Sequence, residues 1–141
     1  MPLTIHLDIV SAEALIFSGP ATKVVIPAEA GEICALARHA PLMARLRPGL
    51  LRFANEFEVE QSFFVSSGFV EIQPSIITIL ADTVLRTEDL DKAEAQAAMA
   101  HAREAIAHAH TPAEYDKLLA ELKMEVALLR AIDEIRGKRI R

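Results

Sequence analysis

The spacing of apolar residues changes once along this chain, over residues 81–91, and this change constrains the fold more than any other feature. Before Ala81 the apolar residues tend to alternate with polar ones, whereas after Thr87 they recur every three or four positions. Alternation buries one face of a β-strand, and the longer period buries one stripe of an α-helix. The pattern therefore predicts an α+β chain, with a β domain over residues 1–86 and a helical domain over residues 87–141.

Residues 1–86 contain eight to ten short apolar runs at close spacing, with no helical pattern between them. Such a series predicts an antiparallel β-sandwich or barrel, in which the inner faces of the strands form the core. Ser18-Gly19-Pro20 and Pro27 are each expected to end a strand. The alternating segment after Asn55 predicts a strand with three glutamates on one solvated face: Glu56, Glu58 and Glu60.

The helical domain is predicted to begin at Thr87 as N-cap, because the acidic residues at 88 and 89 suit the positive end of a helix dipole. Alanine dominates residues 90–109. Alanine favours helix formation but buries little, with a methyl group contributing about 0.8 kcal/mol against ~1.5–3 kcal/mol for a leucine. The first helix should therefore form readily and dock weakly.

A second helix is predicted from the capping box Thr111-Pro112-Ala113-Glu114, with Gly137 as its stop. Its apolar stripe recurs every three or four residues: Tyr115, Leu118, Leu119, Leu122, Val126, Leu129 and Ile132. Because so few residues separate the two helices, they are expected to form an antiparallel hairpin.

Composition narrows the classes of partner. The net charge of -5 offers no electrostatic reason to bind nucleic acid or an anionic membrane. Cys34 is the only cysteine, so neither an internal disulfide nor a multi-cysteine metal site is expected. The apolar run over residues 72–81 is too short to span a bilayer, and the first ten residues lack a signal-peptide pattern. Membrane association is therefore expected only through a partner.

Catalytic and metal-ligand signatures are also missing from the sequence. His101 and His108 share a helix face with no carboxylate or thiol at a matching ligand position, which favours a solvated surface over a metal site. Ser66-Ser67-Gly68 is not a nucleophile elbow, and no glycine-rich phosphate loop is present. We expect no catalytic residue, no metal and no cofactor.

The residues alone leave several functions open. The last helix ends in a basic tip that begins at Arg130, and this tip could contact nucleic acid, contact an acidic protein or be a solvated helix end. The chain could be a free-standing adaptor whose helices form a coiled coil, which a homodimer in solution would support. It could also be a small-molecule-binding sandwich enzyme, which would require a pocket with a titratable pair.

Motifs distributed over the whole chain resemble the epsilon subunit of the F-type, proton-translocating ATP synthase. The matching segments are His6-Leu7-Asp8-Ile9-Val10-Ser11-Ala12-Glu13, Phe17-Ser18-Gly19, Gly31-Glu32, His39-Ala40-Pro41-Leu42, Leu46-Arg47-Pro48-Gly49, Ser67-Gly68-Phe69-Val70-Glu71, Leu80-Ala81-Asp82-Thr83 and Asp89-Leu90-Asp91. The resemblance implies a ten-stranded sandwich followed by two helices. It also implies a non-catalytic subunit of the rotating central stalk, which couples c-ring rotation to ATP synthesis and inhibits ATP hydrolysis through its helices.

The resemblance further implies three contact regions. Ser11 and Glu32 would face the c-ring, and the segment His39-Ala40-Pro41-Leu42 would lie near the gamma subunit, unless Pro41 and Leu42 serve only turn and core packing. The basic tip would meet the catalytic alpha and beta subunits through four side chains: Arg130, Arg136, Lys138 and Arg139. The expected location is the cytoplasmic face of the bacterial plasma membrane, as a peripheral subunit.

One motif of the family departs from its pattern. Some members bind ATP through Leu/Ile-Asp-x-x-Arg-Ala at the start of the first helix. The corresponding residues here are Leu90, Asp91, Glu94 and Ala95, so that a glutamate replaces the arginine that would meet phosphate. Because a carboxylate repels phosphate, we predict weak or absent ATP binding.

Overall fold

The computed structural model describes the backbone of residues 3–140 and the side chains of residues 3–135. The chain forms two compact units, the first ending at Arg86 and the second beginning at Thr87. The first unit contains ten strands: β1 Ile5–Ser11, β2 Leu15–Ala21, β3 Lys23–Ala28, β4 Gly31–Leu36, β5 Leu42–Leu46, β6 Gly49–Ala54, β7 Glu60–Val65, β8 Gly68–Ile72, β9 Ile76–Ala81 and β10 Val84–Arg86. The second contains a 3₁₀ turn, Thr87–Asp89, and two helices, α1 Lys92–Ala107 and α2 Pro112–Ile140.

The strands form one continuous pairing order, β10-β7-β6-β3-β5-β8-β9-β1-β2, with β4 paired to β3. Their inner faces bury the alternating residues, as in β1, where Ile5, Leu7 and Ile9 are all buried. Phe53 lies at the centre of the core. The centroid of its ring is 4.7 Å from that of the Phe17 ring and 6.0 Å from that of the Phe63 ring. The prediction of a ten-stranded sandwich followed by two helices is thus confirmed.

Pairing between β1 and β9 is parallel, in register from His6↔Ile76 to Ser11↔Ala81. Alternation in sequence predicts which side chains point inward, but it carries no information about strand direction. The other strand pairs are antiparallel.

Both predicted strand ends at proline are wrong. Strand β2 continues through Gly19 and Pro20, which it can do because it pairs only with β1 and leaves its other edge open. Strand β3 continues through Pro27, which lies beyond the stretch Lys23–Val25 that pairs with β6. Proline is therefore tolerated in both strands, since it interrupts no second ladder there.

The predicted strand through residues 56–58 is also wrong, because this segment is a turn between β6 and β7. The side-chain oxygen of Asn55 accepts hydrogen bonds from the backbone N–H groups of Phe57, at 2.9 Å, and Val59, at 3.0 Å. Glu58 has a φ of 60°, in the left-handed region. An asparagine that binds its own backbone in this way favours a turn over strand pairing. The three glutamates consequently do not share a strand face.

The first helix begins later than predicted. The carboxylate of Asp91 accepts hydrogen bonds from the N–H groups of Ala93, at 2.9 Å, and Glu94, at 3.3 Å, so that Asp91 is the N-cap and Thr87 is not. The second helix begins as predicted, since the Thr111 hydroxyl accepts from the N–H of Glu114 at 3.1 Å. It continues past Gly137 to Ile140, because a single glycine costs a helix only about 1 kcal/mol relative to alanine.

The two helices pack against each other in antiparallel fashion. Lys92 Nζ at the start of α1 lies 2.8 Å from Asp133 Oδ1 near the end of α2. Ala95 and Ala102 are the buried residues of α1, so this helix offers mostly methyl groups. Ile132 is buried on α2, whereas Tyr115 at its start is 46% exposed.

Candidate functional site

Strand register brings Ser11 and Glu32 to the same end of the sandwich. Ser11, at the end of β1, is paired with Ala81, at the end of β9. Successive pairs continue this row across the ends of β8, β5 and β3: Ala81↔Gly68, Gly68↔Leu46 and Leu46↔Ala28. Glu32 pairs with Pro27, the residue before Ala28. Two residues that lie far apart in sequence are therefore placed at one edge of the unit. We call this edge the Ser11 end.

Both predicted residues at the Ser11 end are held by hydrogen bonds. Ser11 opens a tight turn in which its hydroxyl oxygen accepts from the N–H groups of Glu13, at 3.3 Å, and Ala14, at 3.2 Å. Glu32 forms an ion pair with Arg52, with 3.1 Å between the carboxylate and guanidinium atoms. The Ser11 end thus presents fixed polar groups, an arrangement suited to protein contact.

The segment His39–Leu42 lies at the opposite end of the sandwich. It leads into β5, whose first residue is Leu42 and whose last residue, Leu46, belongs to the row at the Ser11 end. His39 Nδ1 lies 2.7 Å from the carbonyl oxygen of Ala40, which orients the ring along the loop. Ala40, Pro41 and Leu42 are exposed, so core packing does not explain them.

An apolar row on the outer face of the sandwich was not found from the sequence. Phe69 pairs with Leu80, Leu80 with Val10, and Val10 with Leu15, so the four side chains cross strands β8, β9, β1 and β2. The exposed fractions of Phe69, Leu80 and Leu15 are 49%, 51% and 61%. Arg45 on β5 extends the row, with its guanidinium carbon 5.7 Å from the centre of the Phe69 ring. Exposed large apolar side chains in contiguous register mark an interaction surface.

A polar cluster lies one row further along the same face. Asp8 Oδ1 is 2.8 Å from His6 Nε2 and accepts a hydrogen bond from the Ser18 hydroxyl at 2.6 Å. The hydrogen bond from Ser18 holds the pKa of Asp8 below its ordinary value, and the bond and charge of His6 assist it against the opposing effect of burial. His6 Nε2 also lies 3.1 Å from the Ser18 hydroxyl oxygen, so the three side chains form one hydrogen-bonded cluster. The cluster is therefore a polar border to the apolar row.

A groove of about 580 Å³ lies on another part of the sandwich. Leu3, Val25 and Leu36 supply apolar lining, and charged side chains surround them: Lys23, Arg52, Glu58 and Glu60. The described lining residues include no serine, cysteine or histidine, so the groove offers no nucleophile of these kinds. No group of three or more His, Cys, Asp or Glu residues in the described part of the chain is arranged to hold a metal ion.

Comparison with known proteins establishes the family. The family described as "ATP synthase, Delta/Epsilon chain, beta-sandwich domain" matches residues 4–87. The chain belongs to this ATP synthase family. It is 46% identical over 137 residues to the ATP synthase epsilon chain of Thioalkalivibrio sulfidiphilus, covering 96% of this chain and 97% of that one. It is 45% identical over 139 residues to epsilon chain 1 of Methylococcus capsulatus, with 99% of each chain covered. The chain is thus an epsilon subunit of ATP synthase.

Solved structures share the fold at low sequence identity. A chain in the cryo-EM structure of the Euglena gracilis mitochondrial ATP synthase has a TM-score of 0.83 at 22% identity, covering 94% of this chain and 83% of that one. A chain in the central stalk and c-ring structure of the Tetrahymena thermophila enzyme has a TM-score of 0.64 at 11% identity, with 93% and 98% covered. In the helices described here, no segment combines the length and apolar character needed to cross a membrane.

The basic tip of this epsilon subunit is described only in part. Arg130 is exposed on α2. The side chains of Arg136, Lys138 and Arg139 lie outside the described residues. Their proposed contact with the catalytic subunits therefore stays a prediction from the resemblance.

The residues at the degenerate ATP motif serve the helix start. The Asp91 carboxylate is occupied by two backbone N–H groups of α1, and the exposed Glu94 adds a negative charge one turn into the helix. We therefore predict that ATP at millimolar concentration leaves the amide NMR shifts of residues 90–98 unchanged, because neither carboxylate attracts phosphate.

The matched control for this prediction is Glu94→Arg, which restores the arginine of the motif. In this variant, small ATP-dependent shift changes confined to the start of α1 are expected. Saturable binding of ATP to the unaltered protein at micromolar concentration would contradict the prediction.

Proposed function

We propose that this epsilon subunit is a non-catalytic rotor component that transmits c-ring rotation towards ATP synthesis and restrains ATP hydrolysis through its helices. The observation that carries the proposal is the similarity to ATP synthase epsilon chains, which extends over 96–99% of this chain and includes the helices as well as the sandwich. In this role the sandwich is a rigid connector, and the hairpin is a regulatory arm. Neither unit binds a catalytic cofactor.

Two surfaces of the sandwich suit the connector role. The Ser11 end, with Ser11 and Glu32, is proposed to meet the c-ring. The outer face that carries the apolar row runs from this end towards the segment His39–Leu42, which is proposed to lie near the gamma subunit. A gamma subunit covering this face would bury Phe69 and Leu80, which supports its assignment as the second partner.

The hairpin is proposed to act by changing partners. Its first helix offers mainly alanine methyl groups, so any single docking arrangement gains little from burial. States that differ by only a few kcal/mol are reversed by any partner with differential affinity for one of them. The second helix, ending in the basic tip that begins at Arg130, would supply that affinity by meeting acidic residues of the alpha and beta subunits and blocking rotation in the hydrolysis direction.

The proposed location follows from these partners. An epsilon subunit attached to the gamma subunit and the c-ring would lie at the cytoplasmic face of the bacterial plasma membrane. Its contact with the membrane would be indirect, through the complex.

The apolar row is tested by replacing Leu80 or Phe69 with serine and purifying the enzyme from detergent-solubilised membranes. Loss of a central apolar anchor in an interface costs about 2 kcal/mol or more, which is roughly a thirtyfold loss of affinity. We therefore expect the amount of gamma subunit retained with each variant to fall strongly. Both side chains are about half exposed, so the sandwich should remain folded.

The matched control is Phe57→Ser, which removes a still more exposed apolar side chain, at 77%, from the turn between β6 and β7, outside the row. This variant should retain the gamma subunit as the unaltered chain does. Full retention by Leu80→Ser and Phe69→Ser would show that the gamma subunit binds another face.

A further inference from the structure

A carboxylic acid, Glu125, lies beside Val126 on the apolar side of α2. Five residues follow one another at alternating spacings of four and three: Leu118, Leu122, Glu125, Leu129 and Ile132. This spacing places all five on one side of a helix, as at the core positions of a coiled coil. Leu122, Glu125 and Leu129 are each half-buried. Glu125 therefore occupies a seam position that its neighbours fill with aliphatic side chains.

The surroundings of Glu125 add negative charge. Glu94 on α1 and Glu121, one turn earlier on α2, both act on it electrostatically. Burial, followed by the charges of Glu94 and Glu121, raises the pKa of Glu125 above its ordinary value. The ion pair that joins the helices, Lys92 with Asp133, lies about two turns of α2 away from Glu125. The charged groups that act on this carboxyl are thus both acidic.

We propose that Glu125 makes closure of the hairpin sensitive to acid: the α1–α2 seam closes more firmly when this carboxyl is protonated and loosens when it is charged. A neutral carboxyl in the seam resembles the amide of glutamine in size and needs no counter-ion. A carboxylate at the same position loses hydration and faces Glu94 across the hairpin.

The direction of the pH dependence follows from proton linkage. Because the closed hairpin raises the pKa of Glu125, it binds the proton more tightly than separated helices do. Closure is therefore most favourable below the ordinary pKa of 4.5 and is weakened as pH rises through the raised value. Above the raised value the cost of the charge is constant. Acidification tightens the hairpin, and neutral pH leaves it more easily opened.

Acid-sensitive closure is a property of the hairpin itself and goes beyond the proposed inhibition of hydrolysis. A hairpin weakened at neutral pH would exchange partners more easily, which is the property that a regulatory arm needs. A measurement on the isolated full chain is sufficient to detect it. Its result therefore does not depend on whether the hairpin inhibits the assembled enzyme.

The chain supplies a specific probe of α2. Tyr115 is the only tyrosine and there is no tryptophan, so tyrosine fluorescence reports the hairpin alone. Thermal unfolding followed by this signal, from about pH 4 to about pH 8, should show a midpoint that falls by several degrees as pH rises. In Glu125→Gln, which keeps the size and removes the charge, this fall should be largely lost. Glu94→Gln should reduce it in part.

Glu104→Gln is the matched control, because Glu104 is an exposed glutamate of α1 outside the seam. It should keep the pH dependence of the unaltered chain. An unchanged pH dependence in Glu125→Gln would overturn the proposal. If that variant fails to fold, the carboxyl groups of the unaltered chain can be titrated by carbon-13 NMR. A Glu125 carboxyl that titrates at no higher pH than the Glu104 carboxyl would also overturn the proposal.

Discussion

Ending the chain after Asp89 is expected to raise ATP hydrolysis by the assembled enzyme severalfold, while assembly and ATP synthesis remain largely intact. The truncation removes both helices and leaves the sandwich, whose core and proposed partner surfaces lie before Arg86. If the hairpin blocks rotation in the hydrolysis direction, its removal should increase ATP hydrolysis and leave rotation in the synthesis direction unchanged. ATPase activity and ATP-driven proton pumping of purified membranes, compared with those of the full-length chain, measure the effect.

A charge variant separates the basic tip from the rest of the hairpin. Arg130→Glu reverses a charge of the tip and should recover part of the increase in hydrolysis, whereas Lys117→Glu, an exposed charge near the start of α2, should not. Hydrolysis that stays at the full-length level after truncation would remove the inhibitory role and leave the rotor role in place. Loss of assembly after truncation would instead show that the helices are needed to hold the subunit.

Gly68→Ala is expected to destabilise the sandwich by about 3 kcal/mol or more, which is a large part of the stability of a domain of this size. A Cβ atom at Gly68 would overlap the carbonyl oxygen of Leu80 and would lie 2.8 Å from the Cα of Ala81. Both are backbone atoms of β9, and Gly68 is paired directly with Ala81. The overlap is relieved only if β8 and β9 separate.

Gly19→Ala is the matched control for this substitution. A Cβ there would lie 3.3 Å from Cζ of Phe17, the end of a side chain that can move by a few tenths of an ångström. We expect a cost of about 1 kcal/mol or less. Urea unfolding monitored by the NMR signals of the β8 and β9 amides compares the two variants. Equal stability of the two would contradict the close approach of β8 to β9.

Local patterns predicted local features well. The alternation of apolar residues before Ala81 predicted strands with one buried face, as β1 has in Ile5, Leu7 and Ile9, and the box at Thr111 and Glu114 located the start of α2. Local patterns failed where a competing contact decided the outcome. Asp91 captures the N–H groups of α1 and displaces Thr87 as N-cap, and Asn55 folds its own backbone into a turn where alternation predicted a strand. Pro27 remains within β3, because the missing backbone N–H of proline disrupts a strand only where a neighbouring strand would accept a hydrogen bond from it.

The stripe of α2 shows the same division. Spacing predicts its apolar members, but it does not single out Glu125, because a charged residue does not contribute to a hydrophobic pattern. Its position becomes informative only when burial and the approach of Glu94 from α1 are known. The type of a residue therefore predicted whether its side chain prefers burial or solvent, and packing determined whether the side chain obtained that environment.

The amino-acid sequence by itself determined the division into a sandwich and a hairpin, the burial of one face of the strands and the family to which the chain belongs. These depend on periodicity and on motifs, which are local properties. Only the tertiary structure decided that Ser11 and Glu32 share one end and that Leu15, Leu80 and Phe69 form one exposed row. Such neighbours are created by strand register, which depends on pairing between distant segments and on the close approach of backbones, and no spacing along the chain encodes it.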